Sequence, residues 1–151
     1  MTRVAYSHFC DDVRPELGNK LSVMGIYSGE LFVPVAPFVL SKLCCVLGCM
    51  TPTEKPFTSL GFSLTVDGNV IAYGEIPKEQ LEMTLQNVKI RAEGPDPVTR
   101  YSSSMTLVLS PYLIANAHVI KAHAIVDGEQ LPAGRLYITP QTVQSAVPPQ
   151  T

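Results

Sequence analysis

Short stretches of alternating apolar and polar residues, separated by turn residues, recur along the chain and predict β-strands. Residues 43–50 are almost continuously apolar, which is typical of a strand buried on both faces. Asp-Gly pairs at 67–68 and 127–128 tolerate positive φ, so each predicts a hairpin between its flanking strands. The predicted strands are 3–10, 20–27, 43–50, 62–66, 70–76, 105–109, 117–126 and 136–138.

Helix signals are few. Residues 77–81, PKEQL, place Pro at a first-turn position before good helix formers and predict one helical turn. Residues 110–118 are ambiguous, because Ser110 followed by Pro111 is a helix-start signal. The β-branched residues and the Asp-Gly pair that come next favour a strand for the second half of this segment. Residues 96–104 predict a loop.

These elements predict an all-β fold, an antiparallel two-sheet sandwich of eight or nine strands with at most one or two short helical turns. The strand, DG turn and final strand after residue 117 resemble the terminal hairpin of an immunoglobulin-like sandwich. The length of 151 residues suits one domain, which we place at residues 1–140. Residues 141–151 are polar and Pro-rich, and they predict a flexible tail.

Composition narrows the classes of function. Charged residues make up only 16% of the chain, and the formal net charge is −2. Because no basic run exists, the sequence predicts neither general nucleic-acid binding nor binding to anionic membranes. No apolar stretch reaches the roughly 18 residues of a membrane span, and the first residues lack the apolar core of a secretory signal. We therefore expect a cytoplasmic protein with reduced cysteines.

The segment HFCDD, residues 8–12, holds the densest group of chemically reactive side chains. His8, Cys10 and Asp12 share one face if the strand continues, since side chains two apart point the same way. A thiol, an imidazole and a carboxylate are the groups of a nucleophile–base pair, which makes an enzyme one hypothesis.

A structural interpretation of the same segment is simpler, and we favour it. Cys10 is a small residue suited to the core, and Asp11 and Asp12 open a turn by bonding to nearby backbone N–H groups. Arg14 and Lys20 are the cations expected to neutralise the two acids. The cysteine spacings match no zinc pattern, so we predict no metal site and no cofactor. Cys44 is expected to form a disulfide with an adjacent strand only under oxidising conditions.

Two further segments are candidates for binding. In the predicted loop 96–104, Arg100 and Tyr101 stand beside three serines, a set of donors that suits an anion. In the segment 31–40, Pro34 and Pro37 keep the chain out of a central strand.

Segment 31–40 also carries seven apolar side chains larger than alanine, Phe32 and Phe38 among them. Either it caps one end of the core or it leaves an apolar patch for a partner. The low charged fraction favours a homodimer.

Two runs in the first third of the chain form a specific pattern, Cys10–Arg14, CDDVR, and Lys20–Tyr27, KLSVMGIY. With this pattern the chain resembles, over most of its length, a family of short bacterial and prophage proteins. Asn19 departs from the family pattern, in which Gly precedes the lysine. The family carries no assigned activity, so the resemblance implies a shared fold and a bacterial or phage origin without catalytic residues.

The expected function is non-catalytic binding to a protein partner, and in a prophage setting it implies interference with a host defence system. The first alternative is a binder of small molecules or nucleotide-like anions that uses residues 96–104. The second alternative is an enzyme centred on His8, Cys10 and Asp12.

Overall fold

A computed structural model describes residues 2–141. Residues 142–151 of the predicted tail 141–151 lie outside the described residues. The described part contains one helix, α1 (Lys78–Ala92), and eleven strands. The strands are β1 (Val4–Glu16), β2 (Lys20–Ile26), β3 (Glu30–Val33), β4 (Phe38–Leu40), β5 (Leu43–Pro52), β6 (Leu60–Val66), β7 (Asn69–Glu75), β8 (Arg100–Leu109), β9 (Tyr112–Ile114), β10 (His118–Val126) and β11 (Glu129–Pro140).

The strands form two facing sheets and one small pair. The first sheet has the order β2-β1-β5-β8, the second has the order β3-β11-β10-β6-β7, and β4 pairs with β9. Without β2 and β3, the orders β1-β5-β8 and β11-β10-β6-β7 match the arrangement of immunoglobulin-like sandwiches. The predicted all-β sandwich is therefore confirmed, with more strands than expected. It is not fully antiparallel, because β3 runs parallel to β11.

The core lies between the two sheets. Inward-facing residues of β1 and β5 pack against those of β6, β10 and β11, since successive side chains in a strand alternate between faces. The least exposed of these core residues are Leu43, Cys45, Leu47, Cys49, Phe62, Leu64, Ile120, Ala124 and Leu136. The continuously apolar stretch 43–50 became β5, which is buried on both faces as predicted.

The helix is longer than the sequence pattern predicted. We expected one helical turn at 77–81, but α1 has 15 residues. Leu81, Leu85 and Val88 recur at the i, i+4, i+7 spacing, and this narrow stripe packs against the core. The stripe was missed because the other positions of the helix are mostly polar.

Two loop or helix predictions are also corrected. Residues 100–104 do not lie in a loop, because β8 begins at Arg100. The serines were mistaken for a turn, although a strand at the edge of a sheet accommodates polar side chains on its outer face. In segment 110–118 the helix alternative is wrong, since the chain forms β9 there and enters β10 at His118.

The segment HFCDD is not the junction between a strand and a turn. β1 continues through it to Glu16, and the turn follows at Leu17–Asn19. Gly18 and Asn19 have φ values of 81° and 62°, a conformation that glycine and asparagine adopt at low cost. The turn residues that decided this hairpin are therefore Gly18 and Asn19, not the two aspartates.

A partly buried ion pair joins the two sheets. The Arg3 guanidinium, just before β1, lies 2.8 Å from the Asp127 carboxylate in the β10–β11 turn. The Arg3 side chain is only 9% exposed, and it also donates hydrogen bonds to the Thr51 hydroxyl and to the carbonyls of Lys55 and Pro56. Because a buried charge needs several partners, this set of contacts fixes the start of β1 against the segment after β5.

Asp127 completes the same cluster. Its Oδ1 accepts hydrogen bonds of 2.8 Å from the backbone N–H groups of both Thr58 and Ser59. Partial burial alone raises the pKa of this carboxyl, but the hydrogen bonds from Ser59, Thr58 and Arg3 outweigh it and lower the pKa below its ordinary value of 3.8. The ionised form is therefore the one that the fold stabilises.

Replacing Asp127 with Asn should lower the free energy of unfolding by about 2–4 kcal/mol at neutral pH, because Arg3 loses its counter-ion in a buried site. The folded-state pKa is depressed, so the stabilisation is present above pH 3.8 and is lost as the pH falls through the folded-state value. The difference in the free energy of unfolding between the original protein and the variant should become smaller below about pH 4. Urea unfolding followed by circular dichroism at several pH values measures it.

Asp67→Asn is the matched control. Asp67 occupies the other Asp-Gly turn with the same φ of 50°, is exposed, and forms no ion pair within residues 2–141. Equal losses of stability in the two variants would show that turn conformation, and not the ion pair, is responsible.

Candidate ligand-binding groove

β1 pairs with two different strands. Residues Val4–Cys10 pair with β5, whereas Cys10–Glu16 pair with β2. The second half of β1, the turn and β2 therefore form a two-stranded extension, residues 11–26, which we call the arm. None of the arm residues belongs to the buried core.

The arm bends back towards the first sheet. Ser103 pairs with Cys49, and Cys49 pairs with Ala5, so Ser103 lies level with the start of β1. A straight β1 would place the turn at its far end about 45 Å from Ser103 at the usual rise per residue. Instead, Asn19 and Lys20 line the same cavity as Ser103. The second half of β1 must therefore reverse direction.

The bend is held by polar contacts at the base of the arm. Gly25 has a φ of 66°, and a Cβ atom there would lie 2.2 Å from the Asp11 carboxylate. The Tyr27 hydroxyl donates a hydrogen bond to Asp11, and Lys42 forms a 3.0 Å ion pair with Asp12. The hydrogen bond from Lys42 lowers the pKa of the Asp12 carboxyl. The partner of Asp12 is thus Lys42, whereas Arg14 pairs with Glu16, and Lys20 forms no ion pair within residues 2–141.

The base of the arm also covers two cysteines. Cys10 and Cys44 are directly opposite each other in β1 and β5, and both are almost fully buried. The Cys44 sulfur lies 4.0 Å from the Asp11 carbonyl oxygen. Burial raises the pKa of the Cys10 thiol to about 11, which keeps it protonated at neutral pH. His8 is exposed, whereas the Cys10 thiol is buried and protonated. The geometry therefore gives no support to the hypothesis that these two residues form a nucleophile–base pair.

Gly25→Ala should destabilise the arm. The added methyl group would meet Asp11 at 2.2 Å, and the positive φ adds about 1–2 kcal/mol. We expect a total loss of roughly 2–4 kcal/mol from strain and the forced displacement together. Faster labelling of Cys10 and Cys44 by a thiol reagent should accompany it.

Gly18→Ala provides the control, because Gly18 has a φ of 81° but nothing within 4 Å of its added Cβ. The Gly18→Ala variant should lose only the stability that corresponds to the cost of positive φ. The rate of cysteine labelling should stay unchanged. If the two variants behaved alike, the contact with Asp11 would play no part in holding the bend.

The tip of the arm, α1 and β8 enclose a polar groove. It consists of two adjoining cavities of about 370 and 420 Å³, which share Asn19, Thr84 and Ser102. The first cavity is also lined by Pro15, Glu16, Lys20, Leu21, Gln80, Ser103 and Ser104, and the second by Asn87, Val88, Arg91, Val98, Arg100 and Tyr101. Hydroxyl, amide and cationic groups thus dominate its surface.

Three cations reach the groove from three separate elements. Lys20 comes from the arm, Arg91 from α1 and Arg100 from β8. Within residues 2–141 none of them forms an ion pair. The one carboxylate on the wall, Glu16, is occupied by Arg14 at 2.8 Å and by the Ser22 hydroxyl at 2.9 Å. The groove therefore presents positive charge without a matching acid.

The two residues proposed from segment 96–104 have different environments. Arg100 lies on the groove wall, and its nearest polar contact is the Met50 sulfur at 4.0 Å. Tyr101 is 8% exposed, and its hydroxyl accepts a hydrogen bond from the backbone N–H of Phe57. Arg100 is thus available to a ligand, whereas Tyr101 is mainly a core residue.

The apolar candidates are also separated. Phe32 is 57% exposed on the outer face of the second sheet, where its partner on β11 is Thr139, two residues after Tyr137. Phe38 is partly buried and packs against the core. Segment 31–40 therefore combines the two predicted alternatives, a cap on the core and an exposed apolar surface. Leu31 and Val33 enter the core, while Phe32 stays exposed.

The sequence analysis missed the contribution of α1. Four polar residues of the helix line the groove, and they are Gln80, Thr84, Asn87 and Arg91. Their spacing of i, i+4, i+7 and i+11 places them on one side of a helix. The signal was present in the sequence, but it becomes visible only when the helix is extended beyond residue 81.

No family model matches the chain, and no curated protein is significantly similar to it. The resemblance of residues 10–27 to the prophage family stays a prediction. Within residues 2–141, no helix has the length and apolar character that crossing a membrane requires, and no three metal-binding side chains come together.

Proposed function

We propose that this protein acts by binding and not by catalysis, and that the groove between α1, β8 and the arm holds an anionic group. The observation that carries the proposal is the convergence of Lys20, Arg91 and Arg100 on one groove without an opposing free carboxylate. The whole chain has a net charge of −2, so this concentration of positive charge is local.

The chemistry of the wall suits a phosphate or carboxylate. A guanidinium group donates two parallel hydrogen bonds to such anions, and the bonds are strengthened by charge. The Ser102 hydroxyl and the Asn19 amide supply neutral donors where the two cavities meet. Neither histidine nor cysteine is among the described lining residues, and the one carboxylate beside the serines, Glu16, is already paired with Arg14. These features support binding over catalysis.

Replacing Arg100 with Gln should weaken the binding of inorganic phosphate by about tenfold to a hundredfold, since a charged hydrogen-bonded contact contributes ~1.5–3 kcal/mol. Arg91→Gln should act in the same direction. Isothermal titration calorimetry at low ionic strength measures both, and added salt should weaken binding further.

Arg135→Gln is the matched control, because Arg135 is exposed on β11, outside the residues that line the groove. It should leave phosphate binding unchanged. Equal weakening by Arg135→Gln, or no phosphate binding by the original protein at millimolar concentration, would refute the proposed function.

A second candidate function is docking of a protein, or of a second copy of the chain, on the outer face of the second sheet. Phe32 and Tyr137 are 57% and 44% exposed, and Val119 pairs with Tyr137 on the next strand. Exposed aromatic side chains are enriched at the centres of protein interfaces. This patch supports the homodimer expected from the low charged fraction.

Phe32→Ser should convert a dimer into a monomer in multi-angle light scattering at micromolar concentration. Loss of a large aromatic anchor costs about 2 kcal/mol or more at an interface centre, which raises the dissociation constant at least roughly thirtyfold. Val70→Ser, at a 61% exposed position on β7, should have no effect. A monomeric mass for the unaltered protein would contradict the predicted homodimer.

A further inference from the structure

The groove follows one edge of the first sheet. β8 is the last strand in the order β2-β1-β5-β8, so within residues 2–141 no further strand pairs with its outer edge. The groove extends along β8 from Arg100 to Ser104, which corresponds to about 13 Å at the rise of a strand. An extended peptide of about four to six residues has the matching length.

The charges are unevenly distributed along this length. Arg91 and Arg100 line only the second cavity, whereas Lys20 lines only the first. Two guanidinium groups at one end suit a dianion, and a phosphorylated side chain carries about −1.5 to −2 charges at neutral pH. Val98 is half-buried in the same cavity and offers apolar contact to the carbon atoms of the residue that carries the phosphate.

The lining disfavours a compact small molecule. Small-molecule pockets are mostly apolar and aromatic, whereas most of the side chains here are polar. Tyr101 is the one aromatic residue among the described lining residues, and it is 8% exposed, so it offers little ring surface on which a nucleotide base could stack. Serine, threonine and amide side chains instead match the peptide groups of an extended chain.

We propose that the groove binds a short extended segment of a protein partner that carries a phosphorylated serine or threonine, with the phosphate between Arg91 and Arg100. The inference rests on the proposed anion-binding function, and it names the partner class of that same site. The peptide continues from the phosphate along β8 past Ser102 and reaches the arm near Lys20.

The test uses the full chain and fluorescence anisotropy. The probes are a labelled hexapeptide pool with a fixed central phosphoserine and randomised flanks, the same pool with serine, and three competitors. The competitors are inorganic phosphate, a hexose 6-phosphate and adenosine 5′-monophosphate. The phosphopeptide pool should bind at least about tenfold more tightly than each competitor, because only the peptide also contacts the first cavity. The serine pool should bind at least about tenfold more weakly than the phosphoserine pool.

Two variants separate the parts of the groove. Ser104→Tyr fills the first cavity, so it should weaken the binding of the phosphopeptides at least about tenfold more than the binding of inorganic phosphate. Arg91→Gln combined with Arg100→Gln should abolish both. Ser104 is exposed on an edge strand, and circular dichroism before each titration confirms that the variants fold.

The outcomes distinguish the two proposals. If a competitor binds as tightly as the phosphopeptide pool, or the serine pool binds equally well, the peptide inference fails while the anion-binding function stands. If the Ser104→Tyr protein keeps the full advantage for phosphopeptides, the assignment of the peptide to the groove fails. If no anion binds at all, the proposed function fails with it.

Discussion

The ion pair between Arg3 and Asp127 is the constraint on which the rest of the structure depends. It joins the start of β1 to the β10–β11 turn, and it holds the carbonyls of the segment that follows β5. In that segment the Phe57 amide bonds to the hydroxyl of Tyr101, next to Arg100. The ion pair that joins the sheets therefore also supports the part of β8 that supplies a cation to the groove.

Local patterns predicted those elements whose structure is decided locally. Both Asp-Gly turns formed, because positive φ at Asp67 and Asp127 depends on the turn residues themselves. The buried strand β5 was predictable for a similar reason, since an apolar run of that length is stable only when both faces are covered. The helix α1 was underestimated because its apolar stripe of Leu81, Leu85 and Val88 is narrow and depends on packing against the sandwich.

The groove itself was beyond local reasoning. Arg100 was identified as an anion-binding candidate, but its partners Lys20 and Arg91 are far from it in sequence. They meet only because α1 lies beside β8 and because the arm reverses direction near Gly25. A glycine in a strand pattern indicates a bend or a close approach without giving its direction. The position of the arm depends on tertiary structure, so it could not be predicted from residues 8–27 alone.

The arm has a consequence for how this protein can diversify. Apart from the pair between Ile26 and Cys10, the strand residues of segment 11–26 pair only with each other. None of the residues in this segment is part of the buried core. Substitutions and length changes at the turn Leu17–Asn19 therefore alter one wall of the groove with little cost to the folding of the sandwich. The arm wall of the groove and the buried core therefore belong to different segments of the chain, which leaves the arm free to vary while the core residues of β5, β8 and the first half of β1 remain the same.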